Sequence, residues 1–149
     1  MPVGRSMLRV VFDTVVFVRS LINPHSRWGH VVFTHNPQYR LFLSQPVILE
    51  ILDVLRRPEL NRKFRSLQGM DVARIIEILG QAEIVEVSAT PAAVSRDVKD
   101  DKFLATARAA GADYVITEDQ DLLVIGEYEG AQIIDTATFM RILEQQGKD

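Results

Sequence analysis

Short β-branched runs alternate with helix-length stretches along almost the whole chain, and this alternation constrains the fold more than any other feature. Leu8-Arg9-Val10-Val11-Phe12, Leu41-Phe42-Leu43, Ile84-Val85-Glu86-Val87, Tyr114-Val115-Ile116 and Gln132-Ile133-Ile134 each read as a short strand. Between them, capping residue types precede apolar stretches, and glycine or Asn-Pro ends them. Helices are therefore expected from Val15 to Leu21 after Asp13-Thr14, over residues 26–36, and from Val47 to about Arg56. Further helices are expected from Asp71 through Leu79, from about Asp101 to Ala110, briefly from Asp121, and from about Thr136 to Gln145. In the third of these, Ile48, Leu52 and Leu55 fall at i, i+4 and i+7 and define an expected inner face.

Parallel strands need long crossovers, usually helical, so this rhythm predicts an α/β fold. The expectation is a single domain with a central parallel sheet of about five short strands, flanked by helices on both faces. At 149 residues the chain suits one core. Residues 1–6 read as a disordered leader and 7–149 as the domain, without internal repeat or linker.

Composition narrows the function classes. Hydrophobic residues make up 47% and charged residues 25%, the balance of a globular protein rather than a disordered one. The absence of cysteine excludes disulfides and thiolate metal sites. No apolar run approaches the roughly 18 residues of a membrane span, so no membrane partner is expected and a cytoplasmic location fits. The net charge of -3 argues against a nucleic-acid binder, whose domains are usually basic, unless several acids surround a cation.

Two acids fall where such a cation would sit, and two more lie near helix starts that could meet them at one sheet edge if the helices pack back in the usual right-handed way. In open α/β sheets, ligands collect beyond the carboxyl ends of the strands, near the switch in strand order. Asp13 directly follows the first strand, and Asp119 lies just past Tyr114-Val115-Ile116-Thr117. Asp101 opens a helix, and Glu50 lies in the first turns after Pro46. Taken singly, Asp13 and Asp101 read first as helix caps, Glu50 as a solvated residue and Asp119 as a turn former. Yet Glu50 is enclosed by Val47-Ile48-Leu49 and Ile51-Leu52, an awkward place for a surface charge. Gathered carboxylates repel unless protons or a cation neutralise them, and a hard ion such as Mg²⁺ or Mn²⁺ suits oxygen donors.

These segments resemble the PIN-domain family. Val11-Phe12-Asp13-Thr14 is similar to the family's opening, and Phe42-Leu43-Ser44 through Val47-Ile48-Leu49-Glu50 to the helix bearing its second acid. Arg96-Asp97-Val98-Lys99-Asp100-Asp101-Lys102-Phe103-Leu104-Ala105 resembles the third segment. Ala112-Asp113-Tyr114-Val115-Ile116-Thr117-Glu118-Asp119-Gln120-Asp121-Leu122-Leu123 resembles the fourth. The likeness spans roughly residues 8 to 145 and is greatest to the toxins of toxin–antitoxin pairs (VapC-like). It implies a metal-dependent endoribonuclease acting on single-stranded RNA, often restrained by a small antitoxin protein. It further implies that Asp13, Glu50, Asp101 and Asp119 are metal-site and catalytic acids, with Thr117, and less surely Thr14, as hydroxyls beside them. Asp97, Asp100 and Asp121 are acidic neighbours, and Asp100 is an alternative to Asp101.

One departure is plain. After the Asp-Thr pair the family commonly has Asn, and here the position is Val15, which cannot form a side-chain hydrogen bond. Losing an outer partner of a metal site typically costs about 10–100-fold in affinity or activity. The second reading is accordingly a catalytically weakened PIN-fold protein that binds RNA or protein without cutting. Haloacid-dehalogenase phosphatases need an Asp where Val15 stands, and a receiver domain carries its Asp on a middle strand. Arg56, Arg57, Arg62, Lys63 and Arg65 form either an RNA landing surface or a solvated helix end. Trp28 reads as a packing residue before a base-stacking one, and His25, His30 and His35 lie apart from every acid in sequence. Val31-Val32-Phe33 could serve a homodimer, although burial within one chain is simpler.

Overall fold

Strand β1 (Leu8–Phe12) occupies the middle of the sheet, and its sequence suits that position because Val10, Val11 and Phe12 are wholly buried. The computed structural model describes residues 7–59, 70–87 and 101–147. The leader expected over 1–6, the acids Asp97 and Asp100, and Arg62, Lys63 and Arg65 lie outside the described residues. The elements following β1 are α1 (Thr14–Ile22), α2 (Arg27–Gly29), β2 (Tyr39–Leu43), α3 (Gln45–Leu55), α4 (Met70–Gln81) and β3 (Glu83–Ile84). Then come α5 (Asp101–Ala110), β4 (Tyr114–Ile116), α6 (Gln120–Leu123), β5 (Glu127–Tyr128), β6 (Ala131–Ile134) and α7 (Thr136–Gly147). The sheet order is β3-β2-β1-β4-β6-β5, parallel throughout except for the β5–β6 pair. The expected single α/β domain with a central parallel sheet is what the chain adopts, with a sixth, antiparallel strand at one edge.

That sixth strand was not foreseen. Glu129 (φ 51°) and Gly130 (φ 88°) form the two-residue loop between Tyr128 and Ala131. Two positive φ values match the twist of a tight hairpin. The usual signal is Asn-Gly or Asp-Gly, and a glutamate in the first position hides it.

Aromatic packing joins the sheet to its helices. The Phe12 ring meets Phe17 of α1 at 5.5 Å, Tyr39 of β2 at 5.4 Å and Phe139 of α7 at 6.2 Å, all edge to face. In α3 the buried residues are Val47 and Ile51, while Ile48, Leu52 and Leu55 are half-buried. The inward line is thus turned by one residue from the expected one. Helix α4 runs through Gly80 rather than stopping there, and β3 is only two residues long, although the Val85 amide still bonds the Leu43 carbonyl at 2.8 Å.

The largest departure is at residues 26–36, where the sequence predicts one helix. The chain makes the short α2, a wide π turn over His30–Thr34 and a 3₁₀ turn over Asn36–Gln38. Close chain approach explains part of it: a Cβ on Gly29 would lie 2.0 Å from the Pro24 carbonyl oxygen. The stiff Val31 and Val32 side chains disfavour regular helix, and Pro37 opens the 3₁₀ turn. Val31 and Val32 are wholly buried and Phe33 is half-buried, so the two valines belong to the core of their own chain. Among the described residues, no helix is long and apolar enough to cross a membrane.

Candidate functional site

The strand order reverses between β1 and β4, and the crevice beyond their carboxyl ends is where open α/β sheets bind ligands. Asp13 leaves β1 there. Its backbone is still in the sheet, with its amide bonded to the Ile116 carbonyl at 3.1 Å, while its side chain caps α1 by accepting from the Val16 amide at 3.1 Å. The cap reading of Asp13 is therefore correct as far as it goes. One oxygen is used this way, and the other accepts a hydrogen bond from the Thr117 hydroxyl.

Thr117 joins two acids. Wholly buried at the end of β4, it donates to Asp13 Oδ2 and accepts from the Asp119 backbone amide at 3.0 Å. Asp119 is half-buried, and its Oδ1 accepts from the Asp121 amide at 2.8 Å, capping the short α6. Between them, Glu118 turns the other way and accepts from the Thr136 amide at 2.9 Å, anchoring this loop to the start of α7.

The Thr14 hydroxyl, one residue along from Asp13, donates to Glu50 Oε2. Glu50 is partly buried on α3, and its Oε1 lies 2.5 Å from Lys102 Nζ on α5. Asp101, just before Lys102, is 3% exposed in the first turn of α5. A second tie fixes the two helices: Ser44 Oγ and Thr106 Oγ1 are 2.7 Å apart in the core, and Thr106 also donates to the Lys102 carbonyl at 2.7 Å. Side-chain and backbone bonds thus run from Asp119 through Thr117 to Asp13, and from Thr14 through Glu50 to Lys102. The peptide bond between Asp13 and Thr14 joins the two halves.

Lys102 is the member that sequence reasoning missed. The only sequence signal was a lysine immediately after Asp100-Asp101 in the acidic segment.

Burial governs the electrostatics of Asp13. Burial pushes its carboxyl up to about 6, because desolvation disfavours the charged form. Bonds from the Thr117 hydroxyl and from the backbone amides of Val16, Glu118 and Val15 pull it partly back.

Among the described residues, no three His, Asp or Glu side chains are arranged as a ready-made metal cage. Most of the carboxylate oxygens traced here are already engaged by hydroxyls, amides or an ammonium. The donor chemistry nonetheless fits a hard cation: every donor is oxygen, and Mg²⁺ typically takes one or two carboxylates, keeps waters and uses substrate phosphates. A nearly dry Asp13 carboxylate is also the kind of group a cation relieves.

The proposed landing surface is only partly visible. Arg56 and Arg57 are exposed, Arg57 pairing with Asp53 at 3.3 Å. The Trp28 ring packs against the core and carries the guanidinium carbons of Arg19 and Arg27, 4.9 and 5.3 Å from its centroid. Trp28 is therefore a packing residue and a platform for arginines. Val15 is 41% exposed on the second residue of α1, beside the acids.

A buried aspartate thus stands at the β1/β4 switch of an α/β sheet, joined through Thr117 to the loop of Asp119, with the Thr14–Glu50–Lys102 bonds beginning one residue on. The PIN-domain family model matches residues 9–121, and the chain belongs to that family. PIN domains are generally nucleases, and PIN nucleases generally use divalent metals. The fold is similar to that of PAE2754 from Pyrobaculum aerophilum, at 18% identity and TM-score 0.54, over 93% of this chain and 91% of that one. It is also similar to VapBC2 from Rickettsia felis, a structure bound to a DNA fragment from its promoter. There the identity is 13% and the TM-score 0.55, over 86% of this chain and 98% of that one. No curated protein matches the chain in sequence.

Proposed function

We propose that this chain is a Mg²⁺- or Mn²⁺-dependent endoribonuclease that cuts single-stranded RNA, and the toxin of a toxin–antitoxin pair restrained by a small partner protein in the cytoplasm. The observation that carries the reading is the bonded line Asp119–Thr117–Asp13 beside Thr14–Glu50–Lys102, at the switch point of a PIN fold. The likeness to VapBC2 supports the toxin–antitoxin part.

A bound divalent ion supplies a nucleophilic water near neutral pH and offsets phosphate charge. Asp13 and Asp119 hold it most directly, and Glu50 and Asp101 complete the acidic set. Thr117 orients the Asp13 carboxylate by donating to it, and Thr14 does the same for Glu50. Burial of Asp13 excludes bulk water from one side of the site.

Purified protein with Mn²⁺ and single-stranded RNA tests this directly. Asp13→Asn should lower cleavage by more than about 100-fold, beyond the loss typical of an outer partner, and chelator should abolish it. Cleavage that survives either treatment rejects the assignment.

The exposed Val15 favours a second reading, an RNA- or protein-binding module that does not cut. RNA bound but left intact in Mn²⁺ would select it.

A further inference from the structure

Glu50 already has a cation. Its side chain is 28% exposed on α3, and the Lys102 ammonium, 22% exposed on α5, lies 2.5 Å from Oε1, while Thr14 holds Oε2. A partly buried carboxylate left alone would be costly, and the lysine offsets that cost. The two oxygens differ in what they can yield. A threonine hydroxyl can rotate and offer a lone pair to an incoming ion. An ammonium has three donors and no acceptor, so it cannot share an oxygen's ligand role and repels any second cation.

We infer that Lys102 is a resident counter-ion of Glu50 that a divalent cation must displace, so that the lysine sets the metal concentration at which the site fills. The inference rests on the metal-dependent reading above. Lys102 is a positioning residue here, acting through Glu50.

The backbone that carries it is held independently of the ion pair. The Ser44–Thr106 bond and the Thr106 bond to the Lys102 carbonyl hold the α5 backbone against the start of α3. The ammonium also lies 5.4 Å from the Phe103 ring centroid, a neighbour toward which it can withdraw. A neutral side chain of similar length should therefore fit at position 102 without moving Glu50.

The direction of the effect separates this idea from a structural role. A substitution that merely loosens the site weakens cation binding, whereas removing a competitor tightens it. Calorimetric titration of the full chain with MnCl₂ provides the test, on wild type, Lys102→Met, Lys102→Gln and Lys102→Arg, each checked for folding by circular dichroism. Met and Gln should each bind Mn²⁺ about tenfold more tightly, the scale of one charge-assisted hydrogen bond, and Arg should stay near wild type. Equal or weaker binding by the neutral variants, with wild type binding normally, overturns the role of Lys102 alone. Failure of wild type and variants alike to bind Mn²⁺ overturns the metal reading, and this inference with it. Should the Met variant not fold, the Gln variant decides.

Discussion

A single buried hydroxyl carries much of the site's order. Thr117 Oγ1 both donates to Asp13 and accepts from the Asp119 amide, so it orients one acid and fixes the loop that carries another. Thr117→Val, which keeps the shape and removes the hydroxyl, should destabilise the protein by about 1–3 kcal/mol in urea unfolding. Thr117→Ser should recover most of that, and equal losses in the two variants would point to packing instead. At this scale the candidate acids could be singled out because each has a local sign: Asp13 follows a strand, Glu50 stands among aliphatic residues, Asp101 opens a helix, and Asp119 follows a strand-ending threonine. Lys102 had no such sign. Its partner is 52 positions away, and only the packing of α5 against α3 makes the pair.

The regular elements followed from periodicity, and the irregular ones did not. Strands β1 and β4, helix α5 and the glycine that ends it appear where the sequence suggested, with Gly111 at φ 59°. The expected helix over 26–36 does not form because the conformation there depends on one backbone crossing another, which no local pattern announces. Gly29 lies at that crossing, against the Pro24 carbonyl, which is main chain and cannot rotate away. Gly29→Ala should therefore cost about 1–3 kcal/mol in denaturant melts, the range for overpacking, despite alanine's better helix propensity. An unchanged or raised stability would mean that the two turns separate without cost. The β5–β6 hairpin was hidden for the opposite reason, a local turn built from an unusual residue.

Across the whole molecule, site and stability oppose each other. The Asp13 carboxyl, at about 6 when folded against an ordinary 3.8, binds its proton more tightly in the folded chain. Its contribution to stability is therefore complete below about pH 4 and is lost as pH rises through about 6. The gap of about 2 pH units corresponds to about 3 kcal/mol. In the absence of divalent ions, Asp13→Asn should melt above wild type at pH 7.5, and the difference should shrink toward pH 4. A difference that does not vary with pH would show that Asp13 titrates as it does in water. The net charge of -3, which argued against a nucleic-acid enzyme, loses force where a dry aspartate favours a cation.

Timing during synthesis follows from the bond between Glu118 and the Thr136 amide. The loop bearing Asp119 is moored to α7, which leaves the ribosome after every other element of the sheet and its helices. A nascent chain stalled before residue 136 holds Asp13, Glu50 and Lys102 but lacks that mooring, so the crevice should mature only once α7 has been made.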